Sequence, residues 1–241
     1  MRAETRHQLK TDRFSRATID AAERTAHWSV EHKNKLVIAV VIVLVIAGAA
    51  AGSWYYVSQQ DQKASLDLGQ AVRTMDTPVR PPKMPAQPEE PSFTSTTERA
   101  TAARKQFQAI VDNYPHTHSA EFARYFLGVT SADIGDNSSA ERDLQQVVSS
   151  ASSDVAALAK MALASVYRNT GRSKQAEELY KQLAAKPTST VGKTTAQIEL
   201  AETYKTDNQP LEAKRVYETV QKENPGSEVA QLASSKLQEL K

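Results

Sequence analysis

The residues most able to do chemistry are few, and none belongs to a complete site. His116 and His118 alternate and could both face a metal ion, but they lie in a predicted turn without further ligands nearby in sequence. The segment Val191-Gly192-Lys193-Thr194 looks like the end of a phosphate-binding loop. Its required first glycine would fall at Pro187, and no strand is predicted before it. The sequence therefore predicts no metal site and no bound phosphate.

The composition excludes further kinds of chemistry. The chain has no cysteine, so disulfides, cysteine-bound zinc and thiol catalysis are ruled out. No Ser/His/Asp set shares a segment with a convincing motif. The formal net charge of +2 is too balanced to indicate nucleic acid as the main partner. We therefore expect no enzyme, no cofactor and no nucleic-acid binding, and the alanine- and glutamine-rich, glycine-poor composition favours helices.

One long apolar segment dominates the N-terminal part. Residues 36–52 read LVIAVVIVLVIAGAAAG, no charge occurs between Lys35 and Asp61, and Trp54, Tyr55 and Tyr56 follow directly. Such a run is long enough to cross a bilayer as a helix, and the aromatic residues would meet the headgroups. We predict a transmembrane helix at residues 36–57, which contacts the lipid bilayer.

Flanking charges predict the orientation of this helix. Residues 1–35 contain eight lysines and arginines, whereas only Lys63 follows closely on the other side. The excess of positive charge places residues 1–35 in the cytoplasm as a basic tail and the remainder outside. The alternative is a cleaved signal peptide, since Ala49-Ala50-Ala51 would suit a peptidase. We favour an uncleaved anchor because the region before the apolar run is far longer than a usual signal peptide allows.

Proline divides the exported part into two. Six of the ten prolines lie within residues 76–97, and proline blocks helix formation. This predicts a proline-rich loop at 76–97, preceded by a helix at 58–75 and followed by a domain at 98–241. Because Leu68-Gly69 and Val72 resemble the first helix of the repeats described next, we expect residues 58–74 and 98–114 to form one repeat split by the loop.

The segment from residue 98 onward repeats itself. A first pattern, Leu followed by a small residue and then Ser or Tyr three positions on, begins at Leu127, Leu163 and Leu200. A second pattern, Ala followed by Leu or Tyr four on and an aliphatic residue three further, begins at Ala140 and recurs at Ala176 and Ala213. Each recurrence lies 36 or 37 residues on, and turn residues separate the two patterns. Each block therefore predicts two packed helices.

These patterns resemble the tetratricopeptide repeat family over residues 98–241. The resemblance implies an all-α fold, a solenoid of about four helical hairpins, with a last helix after Pro225 as a polar cap. One departure concerns the large residue that the family carries early in the first helix, which is Arg124, Lys160 and Gln197 here.

The resemblance also implies a concave, protein-binding groove lined by the first helices. Carrying its positions across gives twelve candidate partner-binding residues: Phe122, Tyr125, Val129, Leu158, Met161, Ser165, Arg168, Asn169, Thr195, Ile198, Glu202 and Lys205. The alternative is that the large apolar members are core residues packed between repeats.

Three functions fit this organisation. A cytoplasmic tail, one membrane helix and an exported repeat domain resemble the ancillary subunit of the SecYEG translocon, which implies a bacterial inner-membrane protein that binds exported proteins and periplasmic chaperones. A scaffold for envelope or cell-division complexes is the alternative, since the segments 114–121 and 224–230 resemble repeats of such proteins. A third is an adaptor whose basic tail recruits a cytoplasmic partner.

Overall fold

The computed structural model describes residues 32–81 and 92–240, which form nine α-helices. The predicted basic tail up to residue 31 and the middle of the proline-rich loop lie outside the described residues. The helices are α1 (Lys33–Asp76), α2 (Thr96–Asn113), α3 (His118–Asp133), α4 (Asn137–Ser150), α5 (Ser153–Asn169), α6 (Ser173–Ala185), α7 (Lys193–Thr206), α8 (Pro210–Glu223) and α9 (Glu228–Glu239).

Helix α1 is 44 residues long and carries both segments that the sequence predicts before the loop, 36–57 and 58–75. The chain divides into two compact units, one ending at Tyr56 and one beginning at Val57. In the first unit, the large apolar side chains from Val37 to Ile46 are all more than half exposed. By its length and composition, the helix is long and apolar enough to cross a membrane.

The second unit consists of helical hairpins, as the repeat pattern predicts. Helices α3 and α4, α5 and α6, and α7 and α8 pair in turn, and each also packs on the next helix along the chain. The repeated alanines of the second helices, Ala140, Ala176 and Ala213, are completely buried. The all-α solenoid expected from the sequence is confirmed.

The first helices carry a further repeated alanine that the sequence analysis missed. Alanine stands four residues before Leu127, Leu163 and Leu200, and also four residues before Leu68 on α1 and Leu237 on α9. All five alanines, Ala64, Ala123, Ala159, Ala196 and Ala233, are completely buried. Side chains one turn apart on a helix face the same way, so these alanines extend the packed face of each first helix by one turn. The position also marks α9 as equivalent to a first helix.

The leading hairpin joins α1 and α2 across the loop. Ala64 and Ala71 of α1 share a buried cluster with Phe107 and Ile110 of α2, and the Thr74 hydroxyl donates to the Gln106 side chain at 2.9 Å. This packing supports the split repeat, which we keep as a proposal.

Backbone hydrogen bonds join the two ends of the proline-rich segment. The Arg80 amide donates to the Phe93 carbonyl at 3.0 Å, and the Phe93 amide donates to the Pro78 carbonyl at 3.1 Å. Ser95 then caps α2 by accepting from the Glu98 amide. Residues 79 and 93 are thereby held side by side, which lets α2 return along α1.

The turn inside each hairpin has one repeated geometry. Gly135, Gly171 and Asn208 occupy equivalent positions and all have a positive φ, of 83°, 76° and 57°. The amide that follows each of them donates to a carbonyl near the end of the preceding helix. In the first turn, the Asp136 amide donates to the Ser131 carbonyl at 2.9 Å. The predicted turn signals are therefore confirmed.

The helices of the first complete hairpin approach each other closely at Gly128. A methyl group added there would lie 2.6 Å from Leu144 Cγ and 3.4 Å from the Ala140 carbonyl oxygen. The second and third hairpins have alanine at this position, and tyrosine in place of Leu144. Position 128 therefore requires glycine, because the branched side chain of Leu144 packs against it where the two helices cross.

We expect Gly128→Ala to lower the free energy of unfolding. Overpacking of a buried crossing costs about 1–3 kcal/mol, which exceeds the gain of about 1 kcal/mol from replacing a helical glycine by alanine. Gly69→Ala is the matched control, because nothing lies within 4 Å of a methyl group added there. It should raise stability slightly. Urea unfolding followed by circular dichroism measures both, and equal effects would contradict the tight crossing.

Candidate functional site

The large apolar groove candidates lie at the edge of the core. Phe122 and Tyr125 on α3, Leu158 and Met161 on α5 and Ile198 on α7 all pack against the main buried cluster while staying partly exposed. Each therefore has a buried side and an open side. The two interpretations of these residues, core and surface, describe different faces of the same side chains.

The polar groove candidates differ in exposure. Asn169 and Thr195 lie near the ends of their helices, and both are exposed. The remaining candidates Val129, Ser165, Arg168, Glu202 and Lys205 are half-buried.

Three of these polar residues form ion pairs between successive first helices. Arg168 on α5 lies 2.7 Å from the Glu199 carboxylate on α7. Lys205 on α7 lies 2.6 Å from Glu239 on α9, and Glu202 on α7 lies 3.1 Å from Lys236 on α9. The carboxyl-terminal half of the candidate groove therefore carries a ladder of paired charges, in contrast to the apolar side chains of α3 and α5.

The pairing residues Glu199, Lys236 and Glu239 were missed by the sequence analysis. A signal for them exists, because Arg168 and Lys205 are 37 residues apart, as are Glu199 and Lys236, and Glu202 and Glu239. Applying the repeat spacing to charged residues as well as to apolar ones would have revealed the ladder.

The amino-terminal end of the candidate groove is aromatic. His118 and Phe122 meet edge to face with ring centres 5.2 Å apart, and the Tyr125 ring lies 5.0 Å from that of Phe126. His118 Nδ1 is 3.4 Å from the Glu121 carboxylate. Burial raises the pKa of Tyr125, so its hydroxyl remains protonated at neutral pH.

His116 and His118 belong to no metal-binding cluster within residues 32–81 and 92–240, because no group of three or more His, Cys, Asp or Glu side chains that could hold a metal ion occurs there. The Val191–Thr194 segment leads into α7, with Gly192 at its N-cap.

Two equivalent tyrosines on the second helices differ in their hydroxyl partners. The Tyr217 hydroxyl donates to Glu202 at 2.8 Å, whereas the completely buried Tyr180 has no hydrogen-bond partner for its hydroxyl. The cause is the residue facing them, because Ser165 stands where the next repeat has Glu202. Burial raises the pKa of both tyrosines, that of Tyr180 to about 12.

The buried contacts of Glu202 also shift its own titration. Burial raises the pKa of this carboxyl, but the hydrogen bonds from Tyr217 and Lys236 outweigh it and leave the pKa below its ordinary value. Glu202 therefore stabilises the fold at neutral pH, and the contribution disappears as the pH falls through the lowered pKa.

The packing of the helices defines the class of protein. A stack of helical hairpins, with repeated small residues at the crossings and a row of partly exposed side chains on successive first helices, is an α-solenoid of the kind that binds other proteins.

Comparisons with known proteins give the family. Residues 26–241 match the sequence model of the tetratricopeptide repeat-like domain, and the chain belongs to that family. The solved structure of putative kinesin light chain nearly identical TPR-like repeats from Podosopora anserina is similar in fold, with a TM-score of 0.57 at 17% identity. The similarity covers 75% of this chain and 86% of that one. A single-residue variant of the same protein gives the same score and identity, with 85% of its chain covered. A comparison with curated proteins finds no match.

We expect Tyr217→Phe and Tyr180→Phe to differ in stability. Removing the Tyr217 hydroxyl breaks a hydrogen bond to a charged group, at a cost of about 1.5–3 kcal/mol. Removing the unpartnered hydroxyl of Tyr180 should be neutral or slightly stabilising. Urea unfolding at about pH 7 measures both, and the deficit of Tyr217→Phe should narrow as the pH is lowered through the depressed pKa of Glu202 and its carboxylate becomes protonated. Equal destabilisation by the two variants would contradict this assignment.

Proposed function

We propose that the chain is a membrane-anchored protein-binding factor of the bacterial envelope, which binds exported proteins near the translocon. The family to which the chain belongs supports the binding of proteins in general. The observation that carries the finer proposal is the row of partly exposed apolar side chains on α3, α5 and α7. The same chain contains helix α1, a long helix whose apolar stretch is not buried.

The chemistry of the row indicates the kind of partner. Phe122, Tyr125, Leu158, Met161 and Ile198 offer an open apolar side to solvent while the core fixes the other side. Aromatic and methionine side chains suit binding to varied apolar segments, because large rings bury much area and methionine adapts its shape. Exported chains that have not yet folded expose such segments. Folded partners, which the scaffold alternative requires, expose fewer.

Photo-crosslinking tests this proposal. A photoreactive amino acid is placed at Tyr125 or Met161 in intact cells, and the adducts are identified by mass spectrometry. We expect many different unfolded exported chains together with subunits of the translocon, because an apolar row without sequence-specific contacts should accept varied clients.

The matched control places the same photoreactive residue at Glu178, which lies on the second helix α6 and outside the candidate groove. It should capture little. One or two folded proteins in constant ratio would indicate a scaffold instead, and no excess of adducts over Glu178 would show that the binding surface lies elsewhere.

The topology has its own test. We place residues 1–35 in the cytoplasm and residues 58–241 in the periplasm, on the basis of the flanking charges. Protease added to cells with a permeabilised outer membrane should degrade the repeat domain and spare an epitope attached to the N-terminus. Cells with both membranes opened by detergent are the control, in which both parts are degraded. Protection of the repeat domain in the first sample would exclude the proposed function.

A further inference from the structure

A cavity of about 420 Å³ lies between α5 and α6. Ala157 and Leu183 form its floor, and both side chains are almost completely buried. Lys160 and Lys186 line it beside this floor, together with Thr188 of the connection that follows α6. None of these residues is among the twelve groove candidates. The cavity is therefore a second surface, apolar at its base and carrying two positive charges.

The side of the cavity formed by the connection is held in place by hydrogen bonds. The Thr190 hydroxyl donates to the Asp154 carbonyl of α5 at 2.8 Å. The Thr188 amide donates to the Val191 carbonyl at 3.0 Å, and Val191 itself is buried. The connection is thus fastened to the start of α5 and folded on itself, so that Thr188 has a fixed position beside the cavity.

The two lysines at the cavity have no ion-pair partner among the residues that the structure describes. Within the described part of the chain, neither Lys160 nor Lys186 forms an ion pair. Five other lysines of the same unit do: Lys181, Lys193, Lys205, Lys214 and Lys236. Both ammonium groups are therefore available to a negatively charged group bound in the cavity that they line.

The equivalent place in the third hairpin contains a carboxylate. Counting 37 residues on, Lys160 corresponds to Gln197 and Lys186 corresponds to Glu223. The Glu223 carboxylate lies 2.9 Å from Lys193 and accepts from the Gln197 amide at 3.4 Å. The third hairpin therefore supplies its own acid at this position, whereas the second hairpin has Lys186 there, which pairs with no acid within the described ranges 32–81 and 92–240.

We infer that the cavity of the second hairpin binds an internal segment of a partner protein in which an acidic side chain stands next to a large apolar one. The carboxylate lies beside Lys160, as Glu223 lies beside Gln197 in the third hairpin, and it also pairs with Lys186. The neighbouring apolar side chain covers Ala157 and Leu183. A side-chain carboxylate is chosen over a chain terminus because the occupied equivalent is itself a glutamate side chain.

Selection from a random peptide library tests this inference. The peptides are displayed inside a surface loop of a carrier protein, so that none has a free C-terminus, and the full-length chain is presented in nanodiscs. The wild type should enrich peptides that place Asp or Glu beside a large apolar residue. With Lys186→Glu the enrichment of such peptides should fall about tenfold, because the introduced carboxylate takes the partner's place and repels it.

Lys174→Glu is the matched control. It makes the same charge change on helix α6, at a residue that does not line the cavity, and it should enrich the same peptides as the wild type. Urea unfolding of Lys186→Glu should show no loss of stability, since the new carboxylate can pair with Lys160, the equivalent of the Gln197 that donates to Glu223.

Three outcomes would overturn the inference. The first is that the wild type and Lys186→Glu enrich the same peptides. The second is that the enriched peptides lack acidic residues, and the third is that the wild type enriches no peptides. The cavity and the candidate groove share no residue. A failure of crosslinking at Tyr125 and Met161 would therefore contradict the proposed function without affecting the peptide selection at the cavity.

Discussion

The close approach of two helices inside each hairpin is the contact on which the repeat domain depends. At the first complete hairpin the crossing leaves no room for even a methyl group, since one added at Gly128 would lie 2.6 Å from Leu144 Cγ. Small residues at the crossing let the backbones approach, and the large residue from the second helix fills the remaining space. This fixes the distance between the helices and hence the spacing at which the next hairpin can stack.

The surface chemistry follows from that spacing. Because the hairpins stack at a constant interval, residues about one repeat apart become neighbours on successive first helices. Arg168 then reaches Glu199, and Lys205 reaches Glu239. Ion pairs at a protein surface contribute little stability individually, but these half-buried pairs place charge on one end of the candidate groove. The other end, built on α3, stays aromatic.

Repeats of one design differ where a single side chain changes. Tyr180 and Tyr217 occupy the same position, yet only Tyr217 has a hydrogen-bond partner, because Glu202 replaces the Ser165 of the preceding repeat. In the same way, Glu223 gives the third hairpin an internal carboxylate where the second has Lys186. Equivalent positions of one common frame therefore differ in their hydrogen bonds and charges because single side chains differ.

The sequence by itself determined the helices, the turns and the small-residue crossings, because these follow from local preferences and from a periodicity that is visible in one dimension. It also yielded twelve candidates for a partner-binding groove, which remain predictions. The tertiary structure decided which of them remain accessible, since the burial of Phe122 or Met161 depends on the neighbouring hairpin. It likewise decided the ion pairs and the cavity beside Lys160. These depend on distances between helices and on the path of the connection after α6, which local sequence does not specify.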